Sequence, residues 1–248
     1  MKMQPRMIFV YCFTILFTMG LIGAAGAVTF DLKNDWSSTN NPNGVWSLNK
    51  GSNPLPLQTN YDSTGQFAKD LKAFAERQFP FAGHVPVWTQ ATKDNFWEGD
   101  FLTGDIVFHP STPGNTLNPF AESNATWTST LAGVAQVTGN VWYGGLNQDR
   151  GVSWTLYLNE SSLTSGSVFN GDSYDRSNPL TFSVPGLVVN PGDVLKFEGV
   201  TQTGTIYPWF IGVNLTVDVT PASVVPLPPA VWLFGTGLAG LTLLRFRK

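Results

Sequence analysis

The sequence predicts an all-β fold, a sandwich of two sheets, for the central part of the chain. Three observations carry that expectation. Several apolar segments alternate with period two, which marks strands that bury one face and leave the other polar. Clusters of glycine, proline and asparagine separate these segments, as tight connections require. Of 248 residues, 42% are hydrophobic and only 12% charged, enough apolar material for a core with few charges to accommodate.

The elements follow in order. Residues 1–27 read as a secretory signal peptide. Lys2 and Arg6 give a positive start, residues 7–23 are an uncharged and largely apolar run, and Ala25-Gly26-Ala27 supplies small residues for cleavage before Val28. The sole cysteine, Cys12, lies inside this leader, so the mature chain is expected to have no disulfide and no thiol ligand.

Residues 28–219 form the expected sandwich domain. Strands are predicted at 45–48, 105–109, 125–130, 134–143, 152–159, 180–184, 194–198 and 209–219. The pattern is clearest in the last, where Trp209, Ile211, Val213, Leu215, Val217 and Val219 share one side. Residues 66–78 depart from it: Phe67, Leu71, Phe74 and Ala75 stand at helical spacing, which predicts a short amphipathic helix over one end.

From residue 220 the composition changes. Residues 220–229 are a stiff linker containing Pro221, Pro226, Pro228 and Pro229, and residues 230–248 are an apolar run closed by Arg245, Arg247 and Lys248. Residues 230–244 carry no charge and rise about 22 Å as a helix. That is short of a hydrocarbon core of about 30 Å unless upstream apolar residues join or the bilayer thins. The expectation is a single membrane helix with its basic end in the cytoplasm. Gly235, Gly237 and Gly240 spell a G-x-G-x-x-G, but no acidic residue follows Asp218, so the dinucleotide reading fails.

Val225-Pro226-Leu227-Pro228, then Ala230-Val231-Trp232-Leu233-Phe234-Gly235 and a basic end, resembles a PEP-CTERM sorting signal in its Val-Pro-Leu-Pro-Ala variant. Leu227 stands where the parent pattern has Glu, and Pro229 replaces the variant's alanine. The resemblance implies an exosortase as processing partner, a membrane-anchored precursor, and release or attachment at the cell surface or extracellular matrix. Three phrases further resemble exported jelly-roll domains that precede such tails: Asn41-Pro42-Asn43-Gly44-Val45-Trp46-Ser47, Val107-Phe108-His109-Pro110 and Pro191-Gly192-Asp193-Val194-Leu195-Lys196-Phe197. They imply a jelly roll, and the resemblance carries no assigned catalytic residues.

Little in the chain points to catalysis. There is no G-x-S-x-G elbow, and Asp94, Glu98, Asp100 and Asp105 could form an acid/base pair only through a fold the sequence does not specify. His84 and His109 are too few for a zinc site, and His109 reads as a packed strand end. Asp172 and Asp175, in the stretch Asn170-Gly171-Asp172-Ser173-Tyr174-Asp175, read as a solvated turn rather than a calcium loop. No cofactor or metal is expected. Without leader and tail, nine basic residues face all 17 acidic ones, a formal charge of −8 that disfavours nucleic acid.

Binding remains. An exported, non-enzymatic surface or matrix protein that holds carbohydrate is one reading. A structural or adhesive matrix component and a polysaccharide-modifying enzyme are the alternatives. The candidate sugar contacts are Trp142 and Tyr157. Trp142 shares a face with Gln136, Thr138 and Asn140, and Tyr157 lies on the polar side of its strand. If residues 144–151 close a hairpin, the two rings share one face about 13 Å apart, a span suited to a short oligosaccharide.

Overall fold

The computed structural model describes residues 26–66, 68–81, 84–111, 123–145, 149–202 and 208–222. The leader, including Ala25, and the tail, including Val225, Pro226, Leu227 and Pro228, lie outside the described residues. Among the described residues no helix is long and apolar enough to cross a membrane.

One compact body spans Ala27–Pro221. Its strands are β1 (Val28–Asp31), β2 (Trp46–Lys50), β3 (Asn53–Pro54), β4 (Leu57–Gln58), β5 (Ala73–Ala75), β6 (Val87–Gln90) and β7 (Ile106–His109), followed by β8 (Ser123–Thr128), β9 (Gly133–Tyr143), β10 (Gly151–Leu158), β11 (Ser161–Phe169), β12 (Leu180–Val189), β13 (Val194–Thr201) and β14 (Ile211–Pro221). They form two sheets. One has eight strands in the order β12-β9-β14-β7-β6-β5-β4, with β1 also on β14; the other has six in the order β11-β10-β13-β8-β2-β3. From β8 to β14 every connection but β10–β11 crosses from one sheet to the other, so the sheets are wound around a shared core.

The period-two pattern builds that core directly. Ile211, Val213, Leu215, Val217 and Val219 of β14 face Ala125 and Trp127 of β8, Trp154 and Leu156 of β10, and Leu195 and Phe197 of β13 in one cluster. Trp88 stacks on Phe108 with centroids 4.2 Å apart, and Trp154 on Phe197 at 5.7 Å. Every strand predicted from alternation is present. The first residue expected after leader cleavage, Val28, pairs with Val219, so the body is entered and left through adjacent strands.

Two expectations are corrected. Residues 66–78 hold no helix among those described; β5 runs through the segment instead, and Asp70 has a left-handed φ of 57° that no helix accommodates. The spacing misled because both sides of β5 are buried. Phe74 points into the sandwich core while Leu71, Ala73 and Ala75 join a second apolar cluster. The hairpin between β9 and β10 is not formed either. β9 pairs with β12 and β14, whereas β10 pairs with β11 and β13 in the other sheet.

The second cluster covers part of the outer face of the eight-stranded sheet. Phe96, Trp97 and Phe101, from the segment between β6 and β7, lie with Val107, Trp142 and Phe210. An ionic clamp ties this cover to the segment after β11. Asp105, buried, accepts from Arg176 Nε at 2.7 Å and from Lys33 Nζ at 3.0 Å, and Asp100 accepts from the Arg176 backbone N–H at 2.8 Å. Burial alone would raise the Asp105 pKa; the hydrogen bonds from Arg176, the Leu102 N–H and Lys33 outweigh it and hold the carboxyl below its usual range.

Candidate functional site

Trp142 does lie on the polar side of β9, yet it is 2% exposed. Its ring rests on Gly212, where a Cβ would come within 2.0 Å of the indole, and its Nε1 donates to the Asp100 carbonyl at 2.9 Å. The two-ring platform expected with Tyr157 is therefore absent: the rings belong to different sheets, and one is covered. Three more of the carboxylates weighed from sequence have structural partners. Asp94 accepts from Thr103, Asp172 from the N–H groups of Phe169 and Tyr174, and Asp175 from those of Ser177 and Asn178. His109 is a packed strand end whose ring meets Phe210 edge-on at 4.7 Å; burial drives its pKa down to about 3.

Tyr157 leads to a different site. The six-stranded sheet buries Trp46, Leu48, Ala125, Trp127, Trp154, Leu156, Leu195 and Phe197, so their alternates line its outer face. Register places them in rows. Asn49 of β2 stands opposite Asn124 of β8, then Glu198 of β13 and Thr155 of β10; one row along stand Ser47, Thr126, Lys196 and Tyr157. A groove of about 510 Å³ opens over this array, with Ser52 and Pro54 on one side and Glu160 and Val194 on another.

The array is knitted together. Ser47 Oγ donates to Asn49 Oδ1 at 2.6 Å, Asn49 Nδ2 donates to Asn124 Oδ1 at 3.0 Å, and Asn124 Nδ2 donates to the Gly51 carbonyl at 2.9 Å. Lys196 Nζ sits 2.9 Å from Glu160 Oε2, 3.2 Å from Glu198 Oε2 and 4.7 Å from the centroid of the Tyr157 ring. Burial works against the ammonium, but Glu160 and Glu198 together raise its pKa above the usual lysine value. One face of the Tyr157 ring is thus occupied by a cation rather than open for stacking.

Sequence reasoning found Tyr157 and missed its neighbours. The signal for Lys196 and Glu198 was present, since they alternate with Leu195 and Phe197 in β13. What joins them to Asn49, Asn124 and Thr126 is strand order, which alternation does not carry.

The described residues thus define a two-sheet β-sandwich with an open polar groove. No family model and no curated protein matches the chain. Solved structures with some similarity include the K3 cleaved adhesin domain of Lys-gingipain from Porphyromonas gingivalis (11% identity, 79% of this chain and 99% of that one, TM-score 0.35). Two others are the CBM36-1 domain of a multidomain xylanase from the hindgut metagenome of Trinervitermes trinervoides (12%, 45% and 86%, 0.28) and a carbohydrate-binding module of family 29 (11%, 53% and 79%, 0.27). Similarity at this level assigns no function, and the groove is read from its own residues.

Proposed function

We propose that the protein is an exported, non-enzymatic jelly-roll domain that binds extracellular polysaccharide through the outer face of its six-stranded sheet. The observation that carries this reading is the groove itself. It is an open surface of hydroxyl, amide and charged groups on rigid strands, left uncovered where part of the opposite sheet is roofed by a second apolar cluster. Such groups recognise hydroxylated ligands, and their mutual hydrogen bonds fix them in place before a ligand arrives. Glu160 at the groove and the buried Glu198 behind it share one ammonium instead of facing each other across a cleft as a glycosidase pair does.

Export and surface attachment rest on the sequence: the leader ending at Ala25 and Ala27, and the tail with Val225, Pro226, Leu227 and Pro228. In this reading the tail anchors the precursor in the inner membrane until an exosortase-type enzyme removes it. Two experiments test the proposal. Retention of the full-length protein on the producing cell's extracellular polysaccharide should be lost in Thr128→Trp, a substitution of an exposed groove residue; unchanged retention refutes the binding site. The C-terminal mass should differ between a strain lacking the exosortase and its parent; identical masses refute the sorting.

A further inference from the structure

The chemistry of the groove selects among glycans. We infer that it accepts uncharged, hydroxyl-rich polysaccharide and rejects acidic polysaccharide, a conclusion that rests on the glycan reading of this surface.

The inference follows from which donors are committed. An acidic sugar needs a cation or several N–H donors aimed at its carboxylate. Among the described residues Lys196 is the one cation lining the groove, and its ammonium already meets Glu160, Glu198 and the Tyr157 ring. It donates to Glu160, and Glu198 and the ring share the rest of its charge, so the ammonium is already neutralised before an anion arrives. Nor do the amides supply donors readily. Asn49 Nδ2 is engaged with Asn124, Thr126 and the Ser47 carbonyl, and Asn124 Nδ2 with the Gly51 carbonyl.

Acceptors, by contrast, reach the groove. Glu160 extends from the β10–β11 turn with its side chain 80% exposed, and only its Oε2 engages Lys196. Each sugar hydroxyl can donate to such an oxygen, and Thr128 and Ser52 present hydroxyls that accept as well as donate. Lys196 and Glu160 at the groove, with the buried Glu198 behind them, carry one positive and two negative charges, within a body whose formal charge is −8. An acidic chain meets both a local and a long-range penalty there, and an uncharged chain meets neither.

The test is native electrophoresis of the full-length protein in mild detergent, through gels containing uncharged polysaccharides (hydroxyethylcellulose, galactomannan, dextran) or acidic ones (alginate, polygalacturonate). Mobility is scaled to a non-binding reference protein. The wild type should be retarded by at least one uncharged polymer and by neither acidic one. Glu160→Lys, which reverses the charge at the exposed rim, should gain retardation in alginate. Wild-type retardation in an acidic gel that Thr128→Trp abolishes would overturn this inference and leave the groove as a glycan site. Retardation in none of the gels would overturn the inference and the glycan reading together.

Discussion

The outer faces of the two sheets began from the same pattern and ended differently. Both alternate polar residues with the core: Gln136, Thr138, Asn140 and Trp142 on β9, and Thr126 and Thr128 on β8. On the eight-stranded sheet the segment between β6 and β7 folds back over Trp142, and Phe96, Trp97 and Phe101 seal it from water. On the six-stranded sheet the polar residues bond to one another and the face stays open. A tryptophan on a polar strand face thus marked a place to be covered. The uncovered face is marked by side chains that satisfy each other without a lid.

That contrast yields an ordered set of outcomes. Trp142→Ala removes a large buried ring and should cost about 3–5 kcal/mol of stability, read by denaturant or thermal melting. A cost below about 1 kcal/mol would mean the cover is loose. Arg176→Met withdraws the guanidinium from buried Asp105 and should cost about 1.5–3 kcal/mol near neutral pH. Because the folded-state pKa of Asp105 is depressed, its contribution is full above its unfolded value of about 3.9 and is lost as pH falls through the folded value. The gap between wild type and Arg176→Met should therefore close below about pH 4; a constant gap would show that the clamp is not ionic.

Gly212→Ala places a methyl against the Trp142 ring and should cost about 1–3 kcal/mol by overpacking. A neutral result would show that the indole can shift. On the open face Tyr157→Ala should change stability by less than about 1 kcal/mol while weakening polysaccharide retention, because Lys196 loses the ring that helps to hold it. A large loss of stability there would make the face structural.

Much of this was legible before the fold was known. Val152, Trp154, Leu156 and Leu158 declared one side of β10, and Tyr157 was correctly set on the other. Alternation is a local property, so it survives in the sequence. The partners of a strand are not local. β9 and β10 are consecutive, and hairpin reasoning joined them, but the chain crosses between sheets there and separates Trp142 from Tyr157. The segment around Phe74 failed for a related reason: a short strand buried on both sides loses its period-two signature, and what remains resembles helical spacing.

The central claim is that the open face binds and the opposite face does not. It is tested most directly by placing one tryptophan on each. Thr128→Trp fills the groove of the six-stranded sheet, and Gln136→Trp adds the same bulk at an exposed position on the outer face of β9. Both variants should melt close to the wild type, and retention on extracellular polysaccharide should be lost in Thr128→Trp and kept in Gln136→Trp. Retention lost only in Gln136→Trp, or kept in both folded variants, would contradict the account.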